Sequence, residues 1–416
     1  MNYKITKFSV FLFAFFLPIK ISLSNFFLII YFTLSLFRII KNKKTAINHA
    51  VFYSSILLFI PLLIGCFYTA YFDNAIHDIV KKNTFLLIPF FLSFESKDNL
   101  QKIYILAKKG LLFGVVIALF VLILKVLHSF FIINQEKRLI DLFNFNYTRF
   151  NFTNILKIHP TYLGIYVIFS TILIINLLYN RKIKTIYFTL MLLLFTIGII
   201  FINQRIIFFI YSLVFVFLTF IILKQQILKK AYLKFLVTVG LIISISLLSF
   251  FQVKKTYIYY RFTKELNWEF SNDINSFYIK ESKGKSDPRL VRWKEIINHI
   301  KEKPFFGTGT GTEKKVLGEI FKSKGMINSY NKKYDSHNQY LSVLVEFGFI
   351  GFSFFIFHLI SNLYFSIKYN SLEFFSILII VLIVSMVENY LSRNNGITFF
   401  VFFSSLYLFK LSNLKE

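Results

Sequence analysis

Long apolar runs separated by short polar connections dominate the chain. They recur at residues 8–20, 23–40, 50–70, 79–94, 110–132, 160–179, 185–202, 206–223, 235–251, 339–365, 373–390 and 397–409. Read as membrane segments, they predict an all-α polytopic membrane protein with about twelve transmembrane helices. Two of the runs, 79–94 and 397–409, fall short of the ~20 residues that a bilayer core normally requires. Two connections are long: 133–159, rich in Asn, Phe and Tyr, and 252–337, which is large enough to hold a small folded unit. Loops of that length inside a compact fold are usually functional.

The larger loop has its own pattern. Asp287-Pro288 reads as an N-cap followed by proline at the first helical position. Leu290, Trp293, Ile297 and Ile300 then share one apolar face, with Arg289 and Arg292 off that stripe. This predicts an amphipathic helix that rests on the membrane or on the bundle and presents arginines. Lys303-Pro304 ends it, and Gly307-Thr308-Gly309-Thr310-Gly311 follows as a flexible turn. The loop closes on Asp335-Ser336-His337-Asn338-Gln339, where Ser336 and Gln339 have the spacing of a capping box and place a helix start near Ser336. An imidazole, His337, thus stands at the mouth of an apolar helix, beside the unpaired N–H groups and positive dipole end that attract anions.

Composition supports the membrane reading. Of 416 residues 56% are hydrophobic and 16% charged, against roughly a quarter charged in soluble chains, and mean hydropathy is +0.62. The formal net charge of +28 would suggest a nucleic-acid partner in a soluble protein. Here the basic residues gather in alternate short connections, at Lys41, Lys43 and Lys44, at Lys97, Lys102, Lys108 and Lys109, at Arg181, Lys182 and Lys184, and at Lys224, Lys229, Lys230 and Lys234. That is the positive-inside pattern. It predicts cytoplasmic termini, an outer location for 252–337, and no nucleic acid. Lys4 and Lys7 precede an apolar stretch without a small-residue cleavage site, as in a retained first span. The single Cys66 lies in an apolar run and reads as a buried, inert thiol.

Few residues are equipped for chemistry. No two of the seven histidines have metal-ligand spacing and no second cysteine supports them, so a zinc site is not expected. His358 lies 21 residues beyond His337, ~32 Å along one helix, and cannot share its site. His159, in His159-Pro160-Thr161-Tyr162, either helps line a cavity on the outer side or is simply the turn residue before a proline-started helix. Arg205 occupies a very short outer hairpin, where charge is costly and usually functional; snorkelling to lipid phosphates is its other reading. Glu388 sits near the outer end of a span, able to pair with an arginine or orient His337, and Glu346 is expected to pair with a neighbouring span. The Gly-Thr run lacks the Lys-Ser/Thr of a P-loop, although its N–H groups could meet a phosphate or sugar.

Three separated segments resemble the O-antigen ligase and polymerase family. They are Arg289-Leu290-Val291-Arg292-Trp293, Pro304-Phe305-Phe306-Gly307-Thr308-Gly309, and His337-Asn338-Gln339-Tyr340-Leu341 running into Glu346-Phe347-Gly348-Phe349-Ile350-Gly351. Arg205 matches the arginine that follows a Ser in the family, with Gln204 in place of that Ser. The likeness covers about 190–355 and divides the chain into N-terminal helices 1–184, an O-antigen ligase-related region 185–365 containing the loop 252–337, and C-terminal helices 366–416. It implies an inverting, metal-independent glycosyltransferase without cofactors at the periplasmic face of the inner membrane. The implied donor is an undecaprenyl-diphosphate-linked glycan, and the acceptor a lipid A-core (completing lipopolysaccharide), a protein or another lipid-linked glycan. By the same likeness Arg205 and Arg289 bind the diphosphate and His337 is catalytic; His159, Arg292 and Glu388 are candidate supporting residues by their own placement in the sequence. The alternative is a transporter or flippase of lipid-linked oligosaccharide, whose usual marks, Gly/Pro-broken helices and paired repeats, are not visible in the sequence.

Overall fold

A computed structural model describes residues 3–41, 52, 56–136, 138–228, 256–271 and 287–412. The expected span at 235–251, with Lys43, Lys44, Lys229, Lys230 and Lys234, lies outside the described residues. Regular structure among those residues is helical throughout. Five helices are long and apolar enough to cross a membrane: Ile21–Lys41, Lys97–Ile133, Pro160–Tyr179, Thr185–Ile202 and Gln339–Lys368. Arg205–Phe217 and Leu372–Ser385 are shorter apolar helices. The run at 79–94 is divided between Phe72–Lys82 and Thr84–Ser93, the latter carrying Pro89 inside it.

The chain forms two compact units, one of residues 1–17, 21–110 and 267–416, the other of residues 18–20 and 111–266. In the second unit Pro160–Tyr179 is apolar on every face and buried along most of its length, as expected of a helix at the centre of a bundle. It packs against Thr185–Ile202 and Arg205–Leu228. The connection before it folds into short helical turns, with Phe152 stacked on Phe201 at 5.4 Å and the Arg149 N–H donating to the Phe201 carbonyl at 2.8 Å.

The first unit carries two buried polar knots among its apolar helices. Arg38 pairs with Glu95. Lys108 donates to Glu373 at 2.7 Å, and Tyr104 donates to the same carboxylate at 2.6 Å. Charges at such depth persist only when paired and hydrogen-bonded. The Lys97–His128 helix begins well before its apolar run, so Lys97, Lys102, Lys108 and Lys109 lie on its early turns rather than in a loop.

The loop residues of this unit fold as a small helical cap. Val291, Ile296 and Ile300 of Arg289–Glu302 meet Leu317 and Phe321 of Glu313–Ser323, Met326, and Leu341 and Val345 of Gln339–Lys368. Each large side chain so buried contributes about 1.5–3 kcal/mol. The buried face of Arg289–Glu302 differs from the expected stripe: Ile297 is 43% exposed while Arg292 is 2% exposed. The helix packs against two neighbours at once, and this turns Arg292 inward. Its start also differs. Pro288 is the N-cap, and the Asp287 carboxylate instead accepts the Ser329 N–H at 2.8 Å.

The Gln339–Lys368 helix is broken at Gly348, whose φ of 58° and ψ of −162° belong to a region essentially reserved for glycine. This corrects the expectation that no helix is glycine-broken. Residues 304–309 close the break. Thr308 and Gly309 donate their N–H groups to the Val345 and Glu346 carbonyls at 2.9 and 2.8 Å, and Phe349 and Ile350 donate to the Pro304 and Phe305 carbonyls at 2.7 and 3.1 Å. The Gly-Thr run is therefore threaded into the bundle and not a free turn. Its remaining amides are committed too: Thr310 N–H donates to Gly65 at 3.2 Å and Gly311 N–H to the Glu346 carboxylate at 3.1 Å. They leave no cradle for a phosphate. Glu346 also accepts from Glu313 N–H at 3.4 Å and lies 3.9 Å from Lys82 of the Phe72–Lys82 helix.

A Cβ at Gly348 would stand 2.4 Å from the Phe305 carbonyl carbon and oxygen. Gly348→Ala should lower the thermal midpoint of the detergent-solubilised protein, with backbone strain of about 1–3 kcal/mol before the clash is counted. Gly318→Ala, on a helix with open space around the new methyl, should leave the midpoint unchanged or raise it, since Ala exceeds Gly by about 1 kcal/mol in helices. Equal melting of Gly348→Ala and the parent protein would contradict the stitched break.

Candidate functional site

The turn that delivers His337 is built from buried polar groups. Glu313, 7% exposed, accepts the Ser336 N–H at 3.0 Å, the Ser342 hydroxyl at 2.9 Å and the Asn389 side-chain amide at 2.8 and 3.1 Å. Burial, and then the neighbouring Asp335, push the Glu313 carboxyl above its ordinary value. The Asn389 carbonyl oxygen accepts in turn from the Ser336 hydroxyl at 2.9 Å and the Asn338 N–H at 2.8 Å. Trp293 donates its indole N–H to the Ser336 carbonyl at 2.8 Å, so the arginine-bearing helix is tied directly to the histidine turn.

The expected capping box gives way to a different cap. The Asn338 side chain accepts the Tyr340 and Leu341 N–H groups at 3.0 and 3.1 Å, and the helix begins at Gln339. Ser336 is already committed to Asn389, and the Gln339 side chain accepts the Leu391 N–H at 2.7 Å. An amide oxygen one residue ahead of the helix reaches two orphan donors, which a hydroxyl two residues further back cannot.

His337 has φ +50°, uncommon for a residue with a side chain. Asp335 holds it there: its carboxylate accepts the His337 N–H at 3.1 Å, and the imidazole Nδ1 lies 2.5 Å from Asp335 Oδ1. A carboxylate can only accept, so Nδ1 carries a proton and Nε2 is left for another partner. The Tyr334 ring stands edge-on to the imidazole at 5.2 Å. Burial alone would raise the Asp335 carboxyl, but the hydrogen bonds and charge of His337 overcome this and hold it well below the usual carboxylate range.

Three of the other candidates gather around this pair. Arg289 is ion-paired with Glu269 at 3.3 Å and donates to the Val387 carbonyl at 3.0 Å. Arg292 faces Tyr334 at 5.1 Å; among the described residues its Nε and Nη1 have no hydrogen-bond partner. Burial, with Arg289 beside it, brings the Arg292 guanidinium down to about 10. Glu388 lies past the end of the Leu372–Ser385 helix, where burial raises its carboxyl against the opposing charges of His337 and Arg289. Orientation of the imidazole falls to Asp335, not to Glu388. A buried guanidinium with unused donors beside an imidazole with an open Nε2 can bind an anion and accept a proton next to it.

Arg205 and His159 belong to the second unit. The Arg205 hairpin is closed by Arg261, which donates to the Asn203 carbonyl and pairs with Glu265 at 2.7 Å. Arg205 donates to the Arg261 carbonyl at 3.4 Å, and Arg149 lies 3.6 Å from Glu265. Burial and then the Arg149 charge lower the Arg261 guanidinium below its ordinary value. His159 is the N-cap of Pro160–Tyr179, its Nδ1 accepting the Thr161 N–H at 3.3 Å. That is the turn role of its two readings.

Sequence reasoning missed Asp335, Glu313, Asn389, Arg261 and Arg149. Asp335, two residues before His337, had a local signal, because an Asp at that spacing can accept from the N–H two residues on. The others are brought in from distant segments and have none.

The comparison with known families points to the same stretch of chain. Residues 190–356 match the O-antigen ligase family, an interval that contains the Arg205 hairpin, the arginine helix, the threaded Gly-Thr run and the His337 turn. No curated protein matches the chain. The chain thus carries apolar helices of membrane length and, over residues 190–356, a region similar to the O-antigen ligase family.

Proposed function

We propose that the protein is an inverting glycosyltransferase. It moves a glycan from an undecaprenyl-diphosphate-linked donor to an acceptor hydroxyl at the periplasmic face of the inner membrane. The acceptor is a lipid A-core, a protein or another lipid-linked glycan. The observation that carries the proposal is the His337–Asp335 pair beside a buried guanidinium with unused donors, at the head of a membrane-length helix within the region that matches the ligases.

The chemistry follows from those groups. The acceptor hydroxyl attacks the anomeric carbon of the donor sugar while His337 Nε2 takes its proton, and Asp335 stabilises the imidazolium that forms. The bond from the anomeric carbon to the diphosphate oxygen breaks, and the lipid diphosphate leaves. A single displacement inverts the anomeric configuration. The charge that gathers on the leaving oxygen is met by guanidinium groups, which supply electrostatic stabilisation. Arg289 and Arg292 stand beside His337 for this purpose, and the family likeness makes Arg205 a further diphosphate-binding residue.

A transporter would also use a glycine-broken helix. Here, however, the Val345 carbonyl at the break accepts both the N–H and the hydroxyl of Thr308, and the Glu346 carbonyl accepts the Gly309 N–H, so the break is closed by the loop rather than turned to a ligand. This favours the transferase. Purified protein given a lipid-diphosphate glycan should form transfer product; vectorial movement without product would favour the flippase.

His337→Ala should leave donor binding intact and cut transfer by on the order of 10²–10⁴, the usual range for a general base. Asp335→Asn should cost on the order of 10²-fold or more by releasing the imidazole from its tautomer. Transfer at the parental rate by His337→Ala protein would sink the assignment. Arg205→Lys, Arg289→Lys and Arg292→Lys each keep charge but lose bidentate contact, and should each reduce transfer at least about tenfold. Full activity of all three would exclude a guanidinium clamp. For sidedness, single cysteines at Lys324 and Lys182 in a Cys66→Ser background should label with an impermeant thiol reagent from the periplasm and the cytoplasm respectively. The reverse pattern would invert the topology.

A further inference from the structure

Behind the His337 turn lies a second polar feature, a cleft of about 750 Å³ to which Asp335 contributes. It is within the size range of sites that bury small-molecule ligands. Its walls come from the Phe72–Lys82 helix, the Glu313–Ser323 helix, the turn at 330–335 and Arg393. All belong to the first unit.

The charges of this cleft are distributed unequally. Its carboxylates are already engaged. Asp78 and Glu346 share Lys82, Glu313 is held by Ser336, Ser342 and Asn389, and Asp335 is held by His337. Glu319 accepts the Tyr71 hydroxyl at 3.0 Å. The cations are held less closely, Lys81 and Lys314 acting on Asp78 and Arg393 on Asp335 from beyond ion-pair distance. Lys81, Lys314, Lys315, Lys333 and Arg393 all line the cleft, and among the described residues none of the five is ion-paired. With Lys82 the lining carries six cations against five carboxylates, and the five cations without a close partner stand at its exposed positions, where an anion relieves their mutual repulsion. Beside His77 and two glycines, the uncharged lining is made of Asn74, Asn331, Ser392 and Tyr330, which offers hydroxyl and amide partners and a ring rather than the apolar wall an acyl chain would need.

We propose that this cleft binds an acidic saccharide, the carboxylate- or phosphate-bearing sugars of a glycan in transfer, with the five cations matching its charges. The assignment rests on the transferase reading, because Asp335 links the cleft to the imidazole that would receive the acceptor proton. It adds that the substrate glycan is anionic. The same chemistry can arrive on the donor glycan or on the acceptor.

The probe is an oligogalacturonate, compared with the same oligosaccharide after carboxyl reduction, binding to the purified full chain in neutral detergent. The acidic form should bind at least about tenfold more tightly, with affinity falling as salt rises. Lys314→Ala/Lys315→Ala and Lys333→Ala/Arg393→Ala lie at exposed positions, so they should melt with the parent protein, yet each pair should weaken acidic binding about tenfold. Equal affinity for the two oligosaccharides, or affinity unchanged by both pairs, would overturn the proposal. In transfer assays the acidic oligosaccharide should raise the KM of one substrate alone: the acceptor if the acidic sugars arrive on it, the donor if they arrive there. Charge-selective binding by a protein with no transfer activity would overturn the transferase reading and leave the cleft assignment standing. Active transfer without charge-selective binding would do the reverse.

Discussion

The buried Glu313 carboxylate is the interaction on which the arrangement around His337 depends. A carboxylate removed from water is costly unless its oxygens are hydrogen-bonded. Here the donors come from Ser336 in the turn, Ser342 in the helix that the turn opens, and the distant Asn389. Satisfying one buried charge therefore fixes the start of the apolar helix, the turn before it and the turn after Ser385 in one geometry. His337 inherits its position from that requirement, and Asp335 then sets the imidazole's orientation within it.

The second constraint is backbone hydrogen bonding in an apolar setting. A helix that breaks there must find partners for the groups it frees. At Gly348 those partners are main-chain groups of residues 304–309, so the polar loop is bound to the bundle by the same bonds that make the break tolerable. Glu346 extends the connection by accepting from Gly311 and Glu313, which leads back to the carboxylate that holds the histidine turn. Loop and bundle are thus one hydrogen-bonded body, and the arginine helix is pinned to it through Trp293.

The arginines near His337 are not equivalent. Arg289 has a carboxylate partner and a carbonyl, so binding an anion there means sharing or exchanging them. Arg292 is more deeply buried and retains unused donors. A desolvated cation with spare hydrogen-bonding capacity interacts more strongly with an incoming phosphate than an exposed one does. The residue that sequence pattern placed in a supporting role therefore has the stronger electrostatic claim in the folded protein.

Much was legible from sequence because the signals were local. Apolar runs of bilayer length announced the helices. Lys303-Pro304 marked a helix end, and the order of Arg289, Gly307, His337 and Gly348 along the chain carried the family resemblance. Those signals depend on spacing within one element, which the chain itself records. What only the tertiary structure decided was which groups face each other. The inward turn of Arg292, the cap at Asn338 instead of Ser336, the Asp335 and Glu313 contacts and the threading of the Gly-Thr run all arise from packing between segments far apart in sequence. Burial there makes every polar group find a partner, and the nearest partner in space has no mark in the sequence.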